Sequence, residues 1–386
     1  MHSPSRPVRT FVTRLRSLAP LVAGAGLALG AVVASTVATG PVVDARPSQP
    51  AVTLTAAGNP LAGRPWGVYQ GPGDQAWQPW VDATGTTKTT LAKIALRPKA
   101  KWFGAWIPND KIASSVTKYI ENAQAGNPEK LVQMAVFRMV PWEHDACTRL
   151  PSAAEQASYK TWINRFAGAV GNAHAAIILQ PDGPFALCAP HGSTLPSQLI
   201  AYAAKVFGAL PNSATYIDTG AADWPAAGAQ GGVTAATRIA LRGGVKYIRG
   251  IALNSTHYSG TGLEVARGAA IVKALAARGI TGKHVVINTS SNGHPFVFGH
   301  YTGPDADNAY VCPSKTVIST KTCVTLGIPP TYDVANTKWH LSATNRSLAA
   351  KYVDGYLWFG RPWLYRQNDP FVMDRALQLV RSSPWM

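Results

Sequence analysis

Acidic side chains are scarce in this chain. Of 386 residues only 19 are Asp or Glu, against 36 Lys or Arg, and charged residues of both signs make up 14%. So few charges are unusual for a cytosolic protein and suit a large apolar interior. Cysteine is scarce too: Cys147, Cys188, Cys312 and Cys323 are all there are, and no two have CxxC spacing. That pattern argues against a zinc site and for an oxidising compartment, and it leaves the pairing open. The histidines His144, His257 and His284 are too dispersed to suggest a metal centre. No glycine-rich nucleotide fingerprint is present, and no cofactor is expected. Lys and Arg are scattered, without a dense run outside the amino terminus or a nucleic-acid motif, so no nucleic acid partner is expected. The net charge of +17 then reads either as a solvated basic surface or as adhesion to an acidic envelope or polymer.

What the chain does have is apolar and aromatic. Hydrophobic residues reach 46%, with 12 Trp and 13 Tyr. Rings such as Trp66, Trp102, Trp106, Trp224 and Trp363 are ordinarily core, but flat rings also stack on sugar faces. At the amino terminus Arg6, Arg9, Arg14 and Arg16 precede an apolar stretch over 18–38, and Val43-Asp44-Ala45 offers a small-residue cleavage point. Residues 1–45 are therefore expected to be a signal peptide, with an uncleaved membrane anchor as the alternative. A short Pro/Ser/Thr/Ala-rich linker covers 46–58. From 59 to 386 there is no further linker and no internal repeat, so a single domain is expected, acting as a monomer outside the cell or at its envelope.

Short apolar runs at 101–106, 132–137, 175–180, 214–218, 247–254, 284–288 and 356–359 read as strands. Helical spacing marks 154–170, 199–210, 263–277 and 344–352. Strand–helix alternation with continuously apolar strands predicts an α/β fold, a distorted parallel (β/α) barrel of about seven strands, TIM-like. Successive strand ends carry polar groups: Glu143, His144 and Asp145; Asp182; Asp218, Asp223 and Trp224; Asn254, His257 and Tyr258; Asn288 and Asn292. In a parallel barrel these lie on one rim, where active sites are built. Asp145 and Asp182 are one strand–helix unit apart and would sit on adjacent strand ends. Neighbouring carboxylates raise one pKa, which makes a general acid at neutral pH.

Gln180-Pro181-Asp182-Gly183-Pro184 resembles the Glu-Pro-Asp-Ser-Leu signature of glycoside hydrolase family 6, the cellobiohydrolases and endoglucanases. The resemblance implies that Asp182 is the general acid. The run 136–141 followed by His144-Asp145-Ala146-Cys147 resembles the family's Val-Tyr-(x)-Leu-Pro-(x)-Arg-Asp-Cys, which implies that Asp145 assists the acid and that Phe137 lies beneath the distorted sugar. Tyr216-Ile217-Asp218-Thr219-Gly220 with Trp224, Gly250-Ile251-Ala252-Leu253-Asn254 with Tyr258, the run 288–293, and Asn59-Pro60-Leu61-Ala62-Gly63 follow further family motifs in order. They imply substrate contacts at Asp218, Trp224, Asn254, Tyr258 and Asn288, with Trp102 as a further aromatic contact. The resemblance also implies the disulfides Cys147–Cys188 and Cys312–Cys323.

The chain departs from the family in one segment. Where the family has Lys-(x)-Pro-Gly-Glu-(x)-Asp-Gly, this sequence has Phe359-Gly360-Arg361-Pro362-Trp363-Leu364-Tyr365-Arg366, without the carboxylates. Gln180 likewise replaces a family Glu. The expected function is that of a secreted, glucanase-like glycosidase hydrolysing O-glycosidic bonds of a β-linked polysaccharide by inversion. Asp145 would serve the water, with Glu143, Asp223 and Asp369 as further candidates for the base. The alternative is an exported glycan-binding protein that has kept the cleft and lost catalysis.

Overall fold

Each strand of the sheet is short and largely buried. They are β1 (Lys101–Gly104), β2 (Val132–Phe137), β3 (Ala175–Leu179), β4 (Ser213–Asp218), β5 (Gly250–Leu253), β6 (His284–Asn288) and β7 (Val353–Leu357). Such strands need apolar cover on both faces. In the computed structural model, which describes residues 58–226 and 232–386, all seven run parallel in sequence order. The expected signal peptide or anchor and nearly all of the linker lie outside the described residues. Those described belong to one compact unit.

The sheet curls on itself. β1 and β7 form no ladder, but the Ala100 amide donates to the Trp358 carbonyl (2.8 Å) and the Trp102 indole to the Phe359 carbonyl (2.7 Å), which draws the two edges together. The result is the expected distorted (β/α) barrel. Side chains alternate across it as strand geometry requires. Ala135, Ala176, Ile178, Ala214, Tyr216, Ala252 and Val286 fill the bore, where small residues suit the narrow interior. Met134, Val136, Ile177, Leu179, Ile217, Ile251 and Val285 face outward to the helices.

The helices are α1 (Trp77–Asp82), α2 (Gly85–Ala95), α3 (Ile112–Gln124), α4 (Ala153–Val170), α5 (Leu195–Phe207), α6 (Val233–Arg242), α7 (Thr261–Ala276), α8 (Ala343–Tyr352) and α9 (Met373–Ser382). α4 shows why these stretches are helical. Tyr159, Trp162, Ile163 and Phe166 form one buried stripe, and Trp162 stacks on Phe166. Ser152 and Glu155 close a reciprocal capping box at its start, and Arg149 clamps Glu155, whose carboxyl falls to about 2.

Two expected strands move. The run at 247–254 begins only at Gly250, because Val245–Tyr247 form a tight 3-10 turn. The last strand is Val353–Leu357, not 356–359: Asp354 and Gly355 interrupt its apolar pattern. Asp354 is tolerated in the core because Arg249 grips it at 2.8 and 2.9 Å, with the Tyr216 hydroxyl (2.7 Å) and His284 (3.1 Å) beside it. Burial pushes its carboxyl up, but these partners outweigh burial and hold it below the ordinary range. This network closes the end of the barrel opposite the polar rim.

Both expected disulfides are present. Cys147–Cys188 ties the loop after β2 to the loop after β3, and Cys312–Cys323 staples part of the long connection between β6 and β7. Among the described residues no helix is long and apolar enough to cross a membrane.

Replacing Ser152 by Ala removes one half of the α4 capping box. The expected loss is about 1 kcal/mol of unfolding free energy, measured by denaturant titration; an unchanged midpoint would contradict the role given to the cap.

Candidate active site

The carboxyl end of β3 does not run smoothly into its loop. Gln180 and Asp182 both take positive φ (53° and 62°), a region that non-glycine residues seldom occupy. The contorted segment is held from the β2 side. The Gln180 side chain accepts from the Met139 amide at 3.3 Å, and the Trp142 indole donates to the Pro181 carbonyl at 3.0 Å. The bend lays Gly183 against the end of β4. A Cβ on Gly183 would collide with the Asp218 carbonyl, so only glycine permits the approach.

That contact brings Asp182 and Asp218 together, both buried. Their surroundings differ. Asp218 accepts from the Gly183 amide (3.1 Å), the Gly220 amide (2.9 Å) and the Ser255 hydroxyl. Asp182 accepts from Thr256 Oγ1 (2.8 Å). Burial pushes both carboxyls up to about 7. Three donors favour the anion at Asp218. Asp182 instead gains further upward pressure from the charges of Asp218 and, more weakly, Glu143. The donor set therefore favours the proton of the pair on Asp182 and the charge on Asp218.

The loop after β4 is fixed from below. Glu264, wholly buried in the first turn of α7, accepts from the Ala222 amide (2.7 Å), and Arg267 donates to the Ala222 carbonyl. Burial lifts the Glu264 carboxyl to about 8. Above it, Asp223 receives the Phe298 amide and contacts His257 Nδ1, each at 2.9 Å. His257 is sandwiched between the rings of Trp224 and Phe298, at centroid distances of 5.1 and 4.6 Å.

Asp182, Asp218 and Trp224 thus gather at one rim, but other expected contacts have different work. Asn254 and Asn288 are correctly placed at strand ends yet fully buried, with their amides committed to the protein. Asn254 Nδ2 reaches the Asn288 carbonyl (3.0 Å), and Asn288 Nδ2 reaches the Asn254 carbonyl (2.9 Å). Asn288 Oδ1 also accepts from the Phe359 and Gly360 amides (3.1 Å each). The pair staples β5, β6 and β7 at the rim. Tyr258 is buried beneath Phe296, its hydroxyl donating to the Ala306 carbonyl (2.7 Å). All three support the site; they do not present free groups to a sugar. Phe137 and Trp102 pack on each other with centroids 5.5 Å apart, both partly exposed. Asp145 lies exposed in the turn Glu143–Asp145, and the carboxylate of that turn which acts on Asp182 is Glu143.

Sequence reasoning passed over Thr256, Ser255, Gly183 and Glu264. Ser255 and Thr256 stand directly after Asn254 at a strand end, and that position was the signal available. Nothing local in the sequence distinguishes Glu264. No three His, Cys, Asp or Glu side chains cluster as a metal site among the described residues.

A parallel barrel that carries two buried carboxyls side by side at its carboxyl-end rim, both lifted to about 7 and unequally hydrogen-bonded, has the layout of an acid-catalysing enzyme. The model of glycosyl hydrolases family 6 matches residues 69–301, and the chain belongs to that family. Endoglucanase A of Cellulomonas fimi is 32% identical over 231 residues, 59% of this chain and 47% of that protein, so the match spans about half of the relative's length. Endoglucanase 1 of Streptomyces halstedii is 29% identical over 237 residues, 59% of this chain and 70% of the relative. Among solved structures, the endoglucanase Cel6 from Mycobacterium tuberculosis, in complex with a thio-linked cello-oligosaccharide, superposes with a TM-score of 0.62 at 24% identity, covering 83% of this chain and 98% of that one. The family match includes Asp182 and Asp218 but ends before the segment after β7.

In Asp218→Asn the like charge beside Asp182 is gone. The carboxyl carbon resonance of Asp182, titrating near pH 7 in the parent, should then titrate at least about one unit lower; a midpoint that stays or rises would contradict the coupling.

Proposed function

We propose that this protein is an exported glycosidase that cleaves a β-linked, glucan-type polysaccharide by inversion, with Asp182 as the general acid. The observation that carries the reading is the state of Asp182: buried, contacted by the single hydroxyl donor Thr256, and pushed up to about 7 beside Asp218, which has more hydrogen-bond donors. Leaving-group protonation needs a carboxyl that still holds its proton near neutral pH and stands ready to give it up. The named endoglucanase relatives supply the substrate class, and the paired cysteines suit export.

An inverting reaction also needs a carboxylate to take a proton from the attacking water. We place this role on the turn Glu143–Asp145, which the Cys147–Cys188 bond ties to the acid's own loop. Asp145, exposed and ready to contact water, is the candidate base, and Glu143 adds to the charge that keeps Asp182 protonated. Asp223 is unsuited, because His257 and the Phe298 amide occupy its two oxygens. An inactive binding protein would have no use for two buried carboxyls lifted to about 7.

The pH dependence follows in sign. The acid works only while protonated, so turnover falls as pH rises through about 7, the value for Asp182. Asp182→Asn should cut kcat on cellulosic or mixed-linkage oligosaccharides by about 10²–10⁴ while leaving binding intact. Proton NMR of the first product should show the α-anomer. Undiminished turnover in the variant, or a β-anomer first, would overturn the mechanism.

A further inference from the structure

Between β1 and the segment after β7 lies a cavity of about 390 Å³, whose lining includes Lys101, Trp102, Trp106 and Arg361. Its charges are unbalanced. Lys99 and Asp74 neutralise each other across 2.6 Å. Lys101 Nζ donates to the Gly73 carbonyl (2.7 Å) and makes no ion pair among the described residues, feeling only the charge of the Asp74 already paired with Lys99. Arg361 is likewise without an ion pair among them; its guanidinium lies 4.5 Å from the centroid of the Trp102 ring, and its Nε is buried with no acceptor. Asp369, exposed, is the one other carboxylate in the lining. Two desolvated cations thus face the cavity with less than their complement of negative charge. Burial favours the neutral form of each, a cost that an anionic ligand would relieve.

The aromatic surface is divided in the same way. Arg361 covers a face of Trp102 on which a neutral sugar could stack. Trp106 is left 58% exposed, folded back over Gly104, where any Cβ would strike the indole. The cavity is coupled to the acid by three successive links. The Arg361 amide donates to Gln367 Oε1 (3.2 Å), Gln367 Nε2 donates to the Thr256 carbonyl (3.1 Å), and the Thr256 hydroxyl donates to Asp182 (2.8 Å). Of these groups Arg361 and Gln367 lie beyond the family match, in the segment after β7.

We propose that this cavity binds a carboxylate-bearing sugar unit of the polysaccharide, the sugar ring resting on Trp106 and the carboxylate taken by Arg361 and Lys101. A guanidinium held flat by an indole presents its N–H edge in the planar geometry that a carboxylate matches. The basic net charge of +17 would steer an acidic polymer toward the site. The proposal rests on the glycosidase reading for its substrate class, and it selects acidic over neutral glycans within it.

The test is calorimetric binding to the Asp182→Asn protein, which avoids turnover. The probes are cellotetraose and the same oligosaccharide oxidised to carry glucuronic acid units. The acidic probe should bind about tenfold tighter or better at low salt, and Arg361→Gln or Lys101→Gln should erase most of that margin. Arg361→Ala, which uncovers Trp102, should strengthen binding of the neutral probe. Equal affinity for the two probes, or an acidic preference that survives both Gln substitutions, would overturn the proposal. Hydrolysis by the parent enzyme is scored separately: acidic preference without turnover keeps this site and sinks the glycosidase reading, whereas turnover without acidic preference does the reverse.

Discussion

The close approach of Gly183 to the end of β4 is the constraint on which the site depends. It places two carboxyls in one dry pocket with no ion-pair partner among the described residues for either. The protein then resolves the conflict by hydrogen bonding. Two backbone amides and a serine converge on Asp218, while Asp182 has one threonine. An asymmetry of donors becomes an asymmetry of protonation, and a pair of similar side chains divides into an acid and a fixed charge. The unusual backbone at Gln180 and Asp182 is the local cost of this arrangement, and the indole of Trp142 and the amide of Met139 hold it in place.

The rest of the rim keeps that pocket rigid. Asn254 and Asn288 exchange hydrogen bonds across β5 and β6 and reach the residues just after β7, so three strand ends are tied together. Glu264 and Arg267 support the loop that carries Asp223 and Trp224. The disulfide from Cys147 to Cys188 joins the two loops that flank the acid. At the far side of the rim the segment after β7 packs Arg361 on Trp102, which places a positive charge where a ligand could meet it.

Much of this was legible in the sequence, and the reason is the period of its apolar residues. The runs at 132–137 and 284–288 coincide with β2 and β6, and α4 differs from its expected start by one residue, because each carries an uninterrupted pattern. β7 was misplaced because Asp354 and Gly355 break its run, and only the distant Arg249 explains why an aspartate can lie there. Asp182 was reached both from strand-end logic and from its motif. Its electrostatic partner was not. Asp145 stands in the motif that points to a partner, but Asp218 is the carboxylate that acts on Asp182, since the decisive contact is a glycine against a carbonyl at the end of the next strand. Asn254 and Asn288 show the converse limit: position marks the rim, but only the hydrogen bonds reveal that their amides face the protein.

The central claim is that one proton divides the pair unequally, and neutron diffraction at neutral pH tests it most directly. The account predicts deuterium on the Asp182 carboxyl and a bare Asp218 ringed by the deuterated amides of Gly183 and Gly220 and the Ser255 hydroxyl. A bare Asp182 beside a deuterated Asp218 would contradict it.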